Sequence, residues 1–262
     1  MLSCAQPVAG IPENPSISYA FASDLGSGVY DWGGRTLQVY RLPIGWTLRP
    51  TEPGRPGKPG IRLRAPVTAG FLSFRTEDLL EGELPSSIDM LSVAPGVELE
   101  FQPGNDWSVR PWAAYGFSFL TGADDARTTA IGVDADQIRP LRDGELQWST
   151  RVSYTDARYQ GCTPDDDLGR ARTGLEWRRP TPWSPWLRRL VYGPFAIGEW
   201  VFDPPAQTLP DKEVSRLSLE VGVMLGLEPM PEILGISLPR IGLSYRFAGD
   251  FSGWRLVLGG PL

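Results

Sequence analysis

The side chains of this chain that could do chemistry are almost all arginines and carboxylates. Across 262 residues there are 25 lysines plus arginines, 31 aspartates plus glutamates and no histidine. Without imidazole, a Ser–His pair, a general base poised near neutral pH and the commonest metal ligand are all lost together. Lys58 and Lys212 are the only lysines; both sit in Pro-containing stretches that read as loops, so a Ser–Lys mechanism has little to work with. Cys4 and Cys162 are too few for a disulfide framework and too far apart for a metal-site spacing, and are read either as one long-range disulfide or as two free thiols. The run Asp165-Asp166-Asp167 invites a divalent cation. A calcium loop, however, needs about six to eight oxygens at fixed spacing around a glycine turn. The run therefore reads as a solvated loop, as do Asp124-Asp125 and the pair Asp134 and Asp136. No enzyme, metal site or cofactor is expected.

Elements that could position so many charges show a period of two. Ile61, Leu63, Ala65, Val67, Ala69 and Phe71 share one face, and Arg62, Arg64, Thr68 and Gly70 the other. The same alternation sets Val93, Val97, Leu99 and Phe101 against Glu98 and Glu100. After the turn Pro103-Gly104-Asn105-Asp106, it sets Trp107, Val109, Ala113, Tyr115, Phe117 and Phe119 against Arg110, Trp112, Gly116 and Ser118. Further runs cover 145–154, 170–177, 216–227, 240–247 and 254–258, with weaker ones at 17–24, 36–49, 127–138 and 187–202. Together these predict twelve strands. One short helix candidate lies at 76–81, ended by Gly82. Turn signals are evenly spaced, so a short N-terminal extension, 1–16, followed by a single unit, 17–262, is expected.

Alternation alone does not say whether the apolar face meets a core or lipid. Apolar residues make up 41% of the chain and mean hydropathy is −0.19. No stretch approaches the roughly eighteen uninterrupted apolar residues of a spanning helix. Strands near ten residues suit a tilted crossing of a bilayer, and aromatics lie near the ends of the apolar runs, where girdles are expected. The polar face carries arginine, glutamate, glycine and serine, whereas soluble strands bear lysine outside. The prediction is an all-β fold: a closed antiparallel transmembrane β-barrel, an up-and-down meander of about twelve strands, apolar side outward. On this register Arg62, Arg64, Glu98, Glu100, Arg110, Arg151, Arg170, Arg172, Glu176, Arg216, Glu220 and Arg240 face the lumen, as ion pairs that fill it or as the lining of a pore, and Trp112 narrows it. An even strand number places both termini on the periplasmic side, with 102–106 and 139–145 as short periplasmic turns and 75–88, 155–167 and 203–213 as outer loops. The stretch 50–60 is long for such a turn.

Two strings carry a resemblance. Arg240-Ile241-Gly242-Leu243-Ser244-Tyr245-Arg246-Phe247 is similar to the polar-x-Gly-x-x-aromatic-x-aromatic signal of strands handed to the outer-membrane assembly machinery, which implies that role for Arg240, Gly242, Tyr245 and Phe247. The segment from Gly253 to Leu262 resembles a terminal barrel strand, but it ends in Leu262 where an aromatic is usual. Residues 61–116, with Pro95-Gly96-Val97-Glu98-Leu99-Glu100 and Arg110-Pro111-Trp112, resemble the solitary autotransporter β-barrel family, joined by 190–202 and the C-terminus. The resemblance implies a twelve-stranded, autotransporter-type barrel without a passenger, non-enzymatic, with a structural or interaction role in a Gram-negative outer membrane.

Expected partners are outer-membrane lipid, lipopolysaccharide and, during biogenesis, the barrel assembly machinery, with the chain a monomer. At net charge −6, nucleic acid is not an expected partner. No basic segment followed by an apolar one opens the sequence, so a signal peptide is expected to lie outside it. Two rival readings are a small-solute or ion pore through the charged lumen and a soluble β-barrel holding an apolar ligand.

Overall fold

The computed structural model describes residues 26–32, 35–52, 58–72, 90–120, 124–160, 165–185, 188–204, 215–229, 232–233, 236–237, 240–249 and 251–260. Twelve barrel strands follow in chain order. They are β1 (Gly28–Trp32), β2 (Arg35–Leu42 continued by Gly45–Arg49), β3 (Gly60–Arg64 and Val67–Leu72), β4 (Met90–Val93 and Gly96–Glu100), β5 (Trp107–Leu120) and β6 (Ala126–Leu141). Then come β7 (Gly144–Tyr159), β8 (Asp166–Pro180), β9 (Arg189–Asp203), β10 (Leu217–Glu228), β11 (Ile241–Ala248) and β12 (Phe251–Leu258). Every strand pairs antiparallel with its sequence neighbours. The ring closes where β1 meets β12, from Gly28↔Arg255 to Trp32↔Phe251. Closure leaves no long open edge, the condition for a sheet to survive in hydrocarbon.

Alternation sorts the two faces as expected. On β10 and β11, Leu219, Val221 and Leu243 are 51%, 41% and 55% exposed. They belong to a continuous outer ladder with Val223↔Leu243↔Leu256 and Val221↔Tyr245↔Trp254 in register. An apolar belt of this extent does not suit a water-soluble monomer, and the soluble rival with its core inside is overturned. The barrel is a transmembrane one.

Three predicted strands are broken. β2, β3 and β4 are interrupted beside Pro43, Pro66 and Pro95. Proline has no N–H to give to a ladder, yet its carbonyl still accepts: Ala94 N donates to Pro66 O at 3.2 Å and Tyr115 N to Pro95 O at 2.9 Å. The ladder therefore bends at one level without parting. The turn at 142–143 lies at the end of the barrel that holds the β1 start and the β12 finish. There Gly144, at φ +151°, is forced by crowding, because a Cβ would sit 2.0 Å from the carbonyl oxygen of Arg178. The predicted strand 17–24, the helix candidate 76–81, Cys4, Cys162 and Lys212 lie outside the described residues. β1 itself carries no clear alternation and was not anticipated.

Candidate functional site

Inward positions of neighbouring strands fall side by side, so arginines and carboxylates far apart in sequence meet in the lumen. The first cluster spans β3 to β7. Glu98 receives Arg62, Arg64 and Arg110 at 3.5, 3.7 and 3.9 Å. Arg110 also pairs with Asp136, which accepts from Gln147 and Ser149. Asp134 takes a two-pronged contact from Arg151, with Nε and Nη2 each at 2.7 Å, and a hydrogen bond from Trp112 Nε1 at 3.1 Å. The guanidinium of Arg64 lies 4.5 Å above the Trp112 ring, a cation–π contact that holds its plane. Glu100 accepts from Ser108 Oγ at 3.3 Å.

A second cluster spans β8 to β12. Glu199, 5% exposed, is met by Arg170 at 3.3 Å, Arg172 at 3.2 Å and Arg246. Glu220 is met by Arg172 at 3.6 Å and by Arg255 at 2.9 and 3.1 Å, and accepts from Ser244 Oγ at 2.7 Å. Glu176 anchors a third cluster, taking Arg178 at 3.2 Å and Arg240. A buried charge is tolerated only when it is paired and hydrogen-bonded. Arginine, planar and with five donors, can serve two carboxylates at once.

Of the residues expected in the lumen, Arg216 stands apart: it is exposed just ahead of β10. Arg240 and Gly242 face inward, while Tyr245 and Phe247 face outward in an edge-to-face pair 4.6 Å apart. Two expectations need correction. Asp134 and Asp136 are not solvated loop carboxylates but inward residues of β6, held by Arg151 and Arg110. In the aspartate run, Asp165 and Asp167 are exposed but Asp166 is buried at the start of β8.

Glu199, Arg178, Arg246 and Arg255 were not among the expected lumen charges. Parity on β11 and β12 places Arg246 and Arg255 on the polar face. Glu199 had no such signal. Its strand is apolar on both faces, with Val191, Phe195, Ile197 and Val201 inside and Tyr192, Ala196, Trp200 and Phe202 outside. Phe195 and Ile197 join Met224 and Val257 in a buried apolar cluster within the lumen.

Outside, at the end remote from the β1 start, β5, β6 and β7 form a groove of about 690 Å³ lined by Tyr115, Arg127, Asp156, Arg158 and Tyr159. Arg127 and Arg158 are direct cross-strand neighbours there.

Among solved structures, the β domain of the Bordetella autotransporter BrkA is similar, with TM-score 0.54 and 12% identity over 87% of this chain and 92% of that one. The NanC porin gives 0.46 and 11% over 90% and 97%. The KdgM porin, solved in complex with disordered oligogalacturonate, gives 0.43 and 8% over 88% and 96%. Identities this low speak to the fold alone, and the BrkA likeness carries it. No protein-family model matches the chain, and no curated protein does. Both the fold and the lining of its lumen are those of a closed twelve-stranded transmembrane β-barrel whose interior is crossed by arginine–carboxylate clusters.

Proposed function

We propose that the chain is an outer-membrane barrel of autotransporter type, working without a passenger as an integral structural or interaction protein, neither enzyme nor wide pore. The observation that carries this reading is the filled lumen. Glu176, Glu199, Glu220, Arg170, Arg172 and Arg246 are all buried, and the apolar cluster of Phe195, Ile197, Met224 and Val257 lies among the inward residues of β9, β10 and β12. A water-filled channel would leave such side chains exposed. The autotransporter assignment rests on the resemblance carried by residues 61–116, joined by 190–202 and the C-terminus. Single-channel recording on the refolded full chain tests the reading. No stepwise current is expected; steady ohmic steps would establish the pore instead.

The groove at Arg127 and Arg158 supports lipopolysaccharide as the outer-leaflet partner. Arg158 is paired with Asp156 at 3.1 Å, but Arg127 directly across from it adds a second positive charge, and a lipid-linked phosphate between the two arginines relieves their repulsion while Tyr115 and Tyr159 sit at headgroup level. The wild type is expected to melt higher with lipopolysaccharide, and the double variant Arg127→Gln, Arg158→Gln is expected to lose that rise. An undiminished rise would remove this partner.

A further inference from the structure

Arg139, near the end of β6, and Arg179, near the end of β8, stand on the outer face of the barrel at the end that holds the β1 start. An arginine at the rim of a membrane belt ordinarily extends away from the hydrocarbon into water. Both of these turn the other way. With its amide oxygen toward the donors, Gln137, two residues nearer the middle of β6, accepts from Arg139 Nε and Nη2 at 3.1 Å each and from Trp107 Nε1 at 3.2 Å. The guanidinium of Arg179 lies 4.6 Å from the ring centroid of Trp177, two residues nearer the middle of β8. We propose that these two arginines clamp the phosphate of an anionic phospholipid, of the phosphatidylglycerol class, in the leaflet at this end.

Register brings the parts of such a site together. Arg139, Leu146 and Trp177 form one outward row across β6, β7 and β8, and Gln137, Trp148 and Leu175 form the next row toward the middle of the belt. Trp107 packs edge-on against Trp148 with centroids 5.6 Å apart, and Arg179 stands directly across from Tyr192 of β9. Tryptophan and tyrosine favour the headgroup level of a bilayer. These rings therefore mark the depth of the lipid phosphates, and both guanidiniums are drawn back to it. Leu175 and Val152, exposed on the same face, continue the surface along which the acyl chains lie.

Charge and reach agree with an anionic headgroup. The groups that orient Arg139 and Arg179 are an amide and an indole, so neither contact neutralises its cation. Of the described carboxylates nearest this end of β5 to β8, Glu145 is in register with the inward Arg178, 3.9 Å away, and Asp106 and Asp143 lie in turns beyond the strand ends. A guanidinium bound along one edge retains donors for a second acceptor. Strands about 4.8 Å apart, rising ~3.4 Å per residue, put the two Cα atoms roughly 12 Å from each other, a gap that two arginine side chains close around one phosphate.

The site rests on the transmembrane fold, and neither current through the lumen nor the outcome at Arg127 and Arg158 bears on it. The full chain is refolded into phosphatidylcholine vesicles containing phosphatidylglycerol, with one lipid or the other carrying brominated chains that quench nearby tryptophan. Trp148 and Trp177 flank the site and report its occupant. A preference for phosphatidylglycerol over phosphatidylcholine is expected in the wild type. It should fall by about fivefold in Arg139→Gln or in Arg179→Gln, and further in the double variant. Arg142→Gln, in the adjoining turn, removes an equal charge from the same end and should leave the preference intact. Gel mobility without heating reports which variants fold; if the double variant does not, the two single variants carry the test. Equal quenching by the two lipids in folded wild type overturns the site. So does a preference that survives the Arg139 and Arg179 substitutions, or an equal loss in Arg142→Gln, the mark of diffuse surface charge alone.

Discussion

Replacing Glu199 by glutamine removes one negative charge from the best-shielded part of the lumen and leaves the volume unchanged. Three guanidiniums converge on this carboxylate, Arg170 at 3.3 Å, Arg172 at 3.2 Å and Arg246 in closer contact still. At an effective dielectric of about 20, a pair at 3.2 Å is attracted by roughly 5 kcal/mol, before desolvation of both ions offsets most of it. Glu220 is not positioned to take over, since it already holds Arg172 and Arg255, and the inward neighbours of Glu199 on β9 are Ile197 and Val201. Breaking a buried pair from one side costs about 3–5 kcal/mol, and that is the loss expected for Glu199→Gln in urea unfolding of the vesicle-refolded barrel. Arg62→Gln is the contrast. Its side chain is 48% exposed, 3.5 Å from a Glu98 that keeps Arg64 and Arg110, so screening leaves about 0–1 kcal/mol. The double variant Glu199→Gln, Arg246→Gln should recover part of the loss, because it also removes one of the three cations that share Glu199. If Glu199→Gln and Arg62→Gln cost the same, both under ~1 kcal/mol, the lumen is wet enough to screen its charges and the filled-interior reading fails.

Three further expectations follow from the two faces of the sheet. Val221→Arg, on the outer ladder beside Tyr245, should cost about 2–4 kcal/mol and lower the folded fraction on unheated gels after insertion into vesicles; a barrel living in water would tolerate it within ~0.5 kcal/mol. Gly132→Ala should cost about 1–3 kcal/mol in the same unfolding assay, because a Cβ there meets the Trp112 ring at 2.6 Å and the Val152 carbonyl oxygen at 2.8 Å. Gly198→Ala, with nothing within 4 Å, should be silent; equal effects at the two glycines would refute the placement of Trp112. Tyr245→Ala removes a ring packed edge-on to both Phe247 and Trp254 at 4.6 and 5.1 Å. It should cost about 1–3 kcal/mol and slow assembly into membranes, read as delayed appearance of the heat-sensitive gel band.

The strand order was legible because a meander with short connections pairs neighbours in sequence, and the faces were legible wherever polar and apolar residues alternate, as at 61–71 and 217–227. β9 shows the limit. Its inner row is itself apolar, so the periodicity that reveals β10 vanishes and Glu199 disappears with it. The breaks in β2, β3 and β4 were hidden for a different reason. A proline in one strand is tolerated or disruptive according to what the adjacent strand offers, and Pro111 and Pro194 lie inside unbroken β5 and β9. Ion-pair partners were the least legible of all. Arg62 and Glu98 are 36 residues apart, Arg240 and Glu176 are 64, and only the barrel's register brings them together. Asp134 and Asp136 were misread because two aspartates near a turn look solvated until β6 is seen to run well past them, to Leu141.

The near-absence of lysine takes on a physical meaning once the lumen is seen. A lysine ammonium is a compact point charge that can face one carboxylate well. The contacts here ask for more. Arg151 clasps both oxygens of Asp134, Arg172 spans Glu199 and Glu220, and Arg64 stacks on a ring while it pairs with Glu98. Each of these is a bidentate, bridging or stacked geometry that a flexible ammonium does not reproduce. Arg→Lys changes at Arg151 or Arg172 should therefore destabilise the barrel although charge is conserved, whereas at Arg62, half in water, the same change should pass unnoticed. That difference separates selection by the lumen from a general preference for arginine codons, which would make all three positions equally tolerant.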